Sequence, residues 1–200
     1  MQAGIFRMRN KAIFFDRDGT LNVDVHYLHD PADFVWIEGA VEAIRWANAH
    51  GYLVIVVTNQ SGIARGYYDE DAVHHLHDWM NSELAAHGAH IDAFYYCPHH
   101  PEGAVSAYQK ACDCRKPAPG MILRAIAEYD IDPAASFLFG DAVSDVEAAA
   151  RADVRGVRYA GGSLADCVRD AVEYSSITNG NKNEADTEEF CKNQRGRDSF

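Results

Sequence analysis

The fold class this sequence predicts is α/β: a doubly wound parallel sheet with helices on both faces. Three observations predict it. Short apolar runs rich in branched and aromatic residues alternate along the chain with segments of helical period. The runs are continuously apolar, as strands covered on both faces are. Four of them end in polar punctuation, and right-handed crossovers gather such ends on the ligand-binding edge of a sheet.

The first strand is Ala12–Phe15, running into Asp16-Arg17-Asp18 and stopped by Gly19. Val41–His50 reads as a helix with Val41, Ile44 and Trp46. The second strand, Tyr52–Val57, is followed by Thr58-Asn59-Gln60-Ser61-Gly62. A longer helix, Asp69–His87, places Val73, Leu76, Met80 and Leu84 at helical spacing; its His74, His75 and His77 read as solvated positions. The third strand is Ala93–Tyr96, ended by Cys97-Pro98-His99. A helix at Gly120–Tyr129 precedes the fourth strand, Ser136–Phe139, and its Gly140-Asp141 end. A helix at Ser144–Ala152 and a weaker strand, Gly156–Tyr159, complete the pattern.

Two hundred residues suit one domain with a sizeable core, assigned here to 1–174. The stretch 175–200 changes to Asn, Glu, Lys and Ser without period and reads as a polar tail, disordered or loosely attached. A formal charge of −12 argues against nucleic acid as the main partner. No apolar run approaches the roughly 18 residues of a membrane span, so no membrane partner is expected. Met1–Asn10 lacks the apolar segment of a signal peptide, and Met8 is an alternative start. Five cysteines, three of them between Cys97 and Cys114, suit a reduced compartment and a metal site better than a disulfide framework. A cytoplasmic monomer is expected.

Asp16 and Asp18, two apart on extended backbone, point to one side. Alone they fit a turn or an isolated cation loop equally well; the other strand ends decide. Phosphoryl transfer through a covalent aspartate needs one carboxylate to attack, and a second to protonate the leaving oxygen and later activate water. It also needs a divalent cation, and donors for the equatorial oxygens. Asp16 suits the nucleophile and Asp18 the acid/base. Asp141 completes a magnesium site with Asp16 and the backbone carbonyl of Asp18. Thr58 and Asn59 supply uncharged donors, and Lys116 supplies fixed positive charge. Asp145 either joins this site or caps its helix. The intervals from Asp16 to Thr58 and from Thr58 to Lys116 leave no room for a separate cap domain.

Cys97, His99, Cys112 and Cys114 make a Cys3His set, the donor mix of a closed tetrahedral zinc site. A structural zinc would staple the long loop and fix Arg115-Lys116 behind it. Reduced cysteines or a redox disulfide are the plainer readings. His100 is the competing ligand; Cys-x-His mirroring Cys-x-Cys favours His99. Cys167 and Cys191 look unrelated to this site.

Asp16-Arg17-Asp18-Gly19-Thr20, Val57-Thr58-Asn59-Gln60-Ser61, Arg115-Lys116-Pro117 and Gly140-Asp141 with Asp145 together resemble the four motifs of the haloacid dehalogenase (HAD) superfamily. The Cys97–Cys114 loop narrows the resemblance to its capless zinc-loop phosphatases, the heptose 1,7-bisphosphate 7-phosphatases and the histidinol-phosphatases. The wording of the loop is closer to the former. The similarity runs from about Lys11 to about Gly162. It implies a Rossmann-like core and a magnesium-dependent aspartyl-phosphate mechanism. The implied substrate is a small phosphorylated sugar, D-glycero-D-manno-heptose 1,7-bisphosphate. Loss of its 7-phosphate would serve nucleotide-activated heptose for lipopolysaccharide or other surface glycans. It further implies phosphoryl-stabilising roles for Thr58 and Lys116, and substrate contacts from Asp24, Val25, His26 and Tyr27, from Thr58, Asn59, Gln60 and Ser61, and from Arg115 and Lys116. Ala142 departs from the pattern, which commonly has lysine there. A histidinol-phosphate phosphatase is the enzymatic alternative, and a noncatalytic phosphosugar-binding domain the alternative from another class.

Overall fold

The computed structural model describes residues 9–177. Five parallel strands, β1 (Lys11–Phe15), β2 (Tyr52–Asn59), β3 (Ala93–Cys97), β4 (Phe137–Gly140) and β5 (Arg155–Arg158), form one sheet in the order β3-β2-β1-β4-β5. The helices are α1 (Ala40–Ala49), α2 (Ser61–Arg65), α3 (Glu70–Ala86), α4 (Gly120–Glu128), α5 (Val143–Arg151) and α6 (Leu164–Ile177).

β1 lies at the centre: Phe14 pairs with Ile55 of β2 on one side and with Leu138 of β4 on the other. Strand side chains alternate between faces. Ile13, Phe15, Val56 and Phe139 pack with Ile44 of α1, Leu76 and Met80 of α3, and Val168 of α6. Phe14, Ile55, Val57 and Leu138 pack with Met121 and Ile122 of α4 and Ala148 of α5. Each large apolar side chain buried this way stabilises the fold by about 1.5–3 kcal/mol. The doubly wound α/β prediction therefore holds, and between β1 and α1 the chain forms only a loop with a 3-10 turn at Pro31–Asp33.

Chain order reverses between β1 and β4, so the carboxyl ends of these neighbours flank a topological switch point. Asp16 and Asp141 directly follow those ends.

Several boundaries differ from the sequence reading. β2 continues through Thr58 and Asn59, because β3 keeps its ladder there, Thr58 opposite Tyr96 and Asn59 opposite Cys97. Two helices escaped the pattern. α2 is a short turn of helix whose Gly62 carries no helical signal. α6 buries Leu164, Ala165, Cys167, Val168 and Ala171, a stripe of mostly small residues that packs on α1. It runs through the boundary drawn at 174; the rest of that tail, and Met8, lie outside the described residues.

Candidate active site

β1 delivers the first carboxylate. The Asp16 N–H donates to Phe139 O, carrying the β1–β4 ladder one residue past the strand, and the chain then turns. Thr20, Leu21 and Asn22 direct their N–H groups to Arg17 O, and Gly19 closes the turn with φ +83. A side chain at position 19 is excluded twice, by that dihedral and by space: a Cβ there would lie 2.5 Å from Asp141 Oδ2.

Lys116 reaches this point from the side of the Cys97–Cys114 loop. Its buried ammonium meets Asp16 Oδ1 at 2.8 Å, Asp145 Oδ1 at 2.6 Å and Val57 O at 2.8 Å. An ammonium has three protons, so its donors are fully engaged. Burial works to lower its pKa, but the Asp16 and Asp145 carboxylates outweigh it and hold the group charged. Asp16 is pushed up to about 7 chiefly by burial, against the pull of Lys116 and with repulsion from Asp145 and Asp18. The backbone of Lys116 is clamped by Asn59, whose Nδ2 donates to Lys116 O (3.1 Å) while its Oδ1 accepts from Lys116 N (3.0 Å). Asn59, expected as an uncharged donor, thus also positions the lysine, with one of its two amide N–H groups used on Lys116 O.

Asp145 serves both roles that the sequence left open. Its Oδ2 accepts from Ala142 N at 3.0 Å and caps α5, while Oδ1 meets Lys116. Gly140 makes room for it, since a Cβ there would lie 2.3 Å from Asp145 Oδ2. The carboxylates of Asp16, Asp141 and Asp145 converge, with ligand oxygens within 4.8 Å of one another. Burial and Asp145 raise the pKa of Asp141. Crowded carboxylates of this kind suit a hard divalent cation.

Asp18 faces a different set of partners. Gln60 Nε2 donates both to Asp18 Oδ2 (2.9 Å) and to Thr58 Oγ1 (2.8 Å), and Tyr68 O–H fixes the far end of that amide at 2.7 Å. From the interior, Arg17 donates to Asp18 through Nε and Nη2 (3.0–3.2 Å) and to Leu28 O (2.9 Å). Asn22 adds a bond at 3.1 Å. Behind Arg17 stands His77, whose Nε2 lies 3.5 Å from Nη1 and whose ring stacks on Phe94. His74 and His75 are exposed as expected, but His77 is only 4 % exposed. Burial, then the Arg17 charge, push its imidazole well below its usual pKa and keep it neutral. Arg17, Asn22, Tyr68 and His77 were not identified from sequence. Only His77 carried a signal, since it lies on the Val73–Met80 stripe.

The mouth is built from loops. Asp24 Oδ1 accepts from His26 N, and His26 and Tyr27 both take left-handed backbone, φ 57 and 56. Val25 and Tyr27 are exposed. Tyr27 meets Tyr67 edge-on at 4.7 Å and His29 stacks on Tyr68 at 5.0 Å, so this loop leans on the segment after α2 that begins at Ser61.

The cysteine loop closes on itself. Cys97, Cys112 and Cys114 bring their Sγ atoms within 3.2–3.5 Å of one another, and His99 Nδ1 lies 3.3 Å from Cys114 and 3.8 Å from Cys97. Tetrahedral Zn–S bonds of about 2.3 Å place sulfurs roughly 3.8 Å apart, so the donors fit a zinc ion with a small expansion. His100 turns away, with Nε2 near Arg65 Nη2 at 3.3 Å and Nδ1 accepting from Glu102 N. Arg115 extends Nη1 toward His99 O at 3.5 Å, tying the loop to the Lys116 strap.

Residues 113–176 match the HAD-hydrolase-like family. Over 145 residues the chain is 52% identical to the D-glycero-beta-D-manno-heptose-1,7-bisphosphate 7-phosphatase of Pasteurella multocida, covering 72% of this chain and 78% of that protein. The chain belongs to the heptose bisphosphate phosphatase family of HAD-type hydrolases. Its namesake from Escherichia coli O6:H1 is 49% identical over 143 residues, 72% of this chain and 75% of that protein. The D,D-heptose 1,7-bisphosphate phosphatase from B. bronchiseptica, solved with magnesium and phosphate, superposes with a TM-score of 0.73 at 30% identity, covering 82% of this chain and 99% of that one. The enzyme from Burkholderia thailandensis gives 0.54 at 31% identity, over 78% and 81%. As a member of this family the chain is a phosphoric monoester hydrolase.

Proposed function

We propose that this protein removes the 7-phosphate of D-glycero-D-manno-heptose 1,7-bisphosphate through an aspartyl-phosphate on Asp16. The observation that carries the reading is one ammonium, Lys116, joining Asp16 to Asp145 beside Asp141, in a chain about half identical to heptose bisphosphate phosphatases.

An Asp16 carboxylate oxygen attacks phosphorus, the P–O bond to the sugar breaks, and the leaving oxygen takes its proton from Asp18. Asp18 then accepts a proton from the water that cleaves the acyl phosphate, returning Asp16 and releasing inorganic phosphate. Gln60 and Arg17 aim Asp18. The buried Thr58 hydroxyl is the donor for a phosphoryl oxygen, and Lys116 pulls against the burial that raises the Asp16 pKa, favouring the ionised form a nucleophile needs. Asp16, Asp141 and the main-chain carbonyl of Asp18 would hold magnesium, with Asp145 beside them. Bound there, the cation supplies positive charge against carboxylate–phosphate repulsion. Cys97, His99, Cys112 and Cys114 would hold a structural zinc, stiffening the strap that carries Arg115 and Lys116. Asp24–Tyr27, Ser61 and Arg115 form the walls that meet the sugar.

The partner is a small phosphosugar, handled by a cytoplasmic monomer with no nucleic-acid or membrane partner; among the described residues no helix is long and apolar enough to cross a membrane. The reaction belongs to nucleotide-activated heptose synthesis. Comparing kcat/KM for both anomers of the heptose bisphosphate with that for histidinol phosphate tests the substrate. The bisphosphate is expected to be preferred by at least about tenfold, the scale of one favourable polar contact; a preference for histidinol phosphate overturns the reading.

A further inference from the structure

One buried titratable side chain next to the acid/base assembly has no part in the reaction described above. Arg17 is fully buried and His77 almost so. A buried guanidinium carries five N–H donors in one plane and needs acceptors for them. Nε and Nη2 spend theirs on the Asp18 carboxylate and on Leu28 O. Nη1 meets His77 Nε2 at 3.5 Å, its one acceptor among the described residues. The planar cation is thus held from two sides, by the acid/base carboxylate and by the imidazole.

The imidazole is itself held in place. α3 carries His77 on the same buried stripe as Val73, Leu76 and Met80. β3 lays Phe94 against the ring at 4.2 Å with 13° between the planes, and Tyr96 of the same strand meets it at 62°. A phenyl ring would fill that stack equally well; what the imidazole adds is a lone pair on Nε2. To offer it, the ring must carry its single proton on Nδ1. Burial, the Arg17 charge and His74 all disfavour a second proton on the ring. Without this acceptor Nη1 would be left unpaired in a buried site, and the guanidinium would turn toward another partner, taking Asp18 with it.

We propose that His77 is a positioning residue for the acid/base: its Nε2 holds the Arg17 guanidinium in the plane that presents Asp18 to the leaving oxygen. This role rests on the proposed reaction through the part given there to Asp18.

The test separates the lone pair from the ring. His77→Phe keeps the stack on Phe94 and removes the acceptor, whereas His77→Gln removes the ring and offers Oε1 to Arg17. Each is compared with wild type and Asp18→Asn on two esters. Heptose 1,7-bisphosphate loses an alkoxide that needs a proton, and p-nitrophenyl phosphate loses a phenolate that does not. Fructose 1,6-bisphosphate replaces the heptose ester if wild type leaves that ester intact, so failure of the heptose reading does not bear on His77. In His77→Phe, kcat/KM should fall about tenfold more for the sugar ester than for the aryl ester. Asp18→Asn should show the same selectivity more strongly, and His77→Gln should keep the wild-type ratio of the two esters even where it lowers Tm. Equal losses on both esters in His77→Phe, or selectivity in His77→Gln alone, would mean that His77 only packs the core and would overturn the proposal. Equal losses in Asp18→Asn would instead remove the acid role of Asp18, and the role of His77 with it. Long-range nitrogen NMR of wild type at neutral pH gives a readout independent of turnover, with the His77 signals assigned by their absence from His77→Phe. They should show a neutral ring with Nε2 unprotonated; a charged ring, or a proton on Nε2, overturns the proposal whatever the kinetics.

Discussion

The three protons of the Lys116 ammonium meet three buried oxygens, two of them from carboxylates that would otherwise repel each other. Removing the ammonium leaves two buried acids without a counter-charge, and breaking a buried pair in this way costs about 3–5 kcal/mol. Lys116→Met should therefore unfold at markedly lower urea and lose about 10²–10³-fold or more in kcat. Urea titration and steady-state kinetics check both, and a variant that keeps full stability and activity would show the lysine to be incidental. At this scale the convergence of Asp16, Lys116 and Asp141 was readable from sequence, because each sits at a strand end or in a motif that the proposed chemistry demands. Their supports were not. Arg17 carried no role in the sequence pattern, yet it is the fully buried brace of Asp18. The clamp from Asn59 to the Lys116 backbone joins residues far apart in sequence, which no local pattern encodes.

Elements position these residues through their ends. Gly19 and Gly140 are each adjacent to a carboxylate that a methyl group would strike, Asp141 and Asp145 respectively, so the turns after β1 and β4 interlock. The segment between β3 and α4 contains no helix or strand and is held by the Cys97, His99, Cys112 and Cys114 cluster together with scattered turn bonds. Metal analysis of purified protein is expected to find about one zinc per chain. Cys112→Ser should lose the ion and lower Tm by several degrees, at about 2–4 °C for each 1 kcal/mol lost in a domain of this size. Activity should fall with it, because the same strap presents Lys116. Zinc-free protein with an unchanged Tm would contradict the assignment. Spacing and donor type made this loop legible. α6 was not, because Ala165, Cys167 and Ala171 pack on α1 through small side chains that give a weak apolar period.

For the whole molecule, the alternation of strands and helices fixed a doubly wound sheet, and the switch point between β1 and β4 then dictates where a ligand goes. A chain of net charge −12 that handles a bisphosphate must concentrate its cations locally. The fold does so, with Lys116 inside the site and Arg115 on the wall beside the cysteine loop. The central claim is that Asp16 is the nucleophile that removes the 7-phosphate. Its most direct test is phosphorus NMR of the heptose 1,7-bisphosphate incubated with magnesium and either wild type or Asp16→Asn. Wild type should convert the C7 phosphoester to inorganic phosphate, retain the C1 phosphoester and stop when magnesium is chelated, while Asp16→Asn should leave both esters intact. Release from C1, or turnover surviving in Asp16→Asn, would contradict the account.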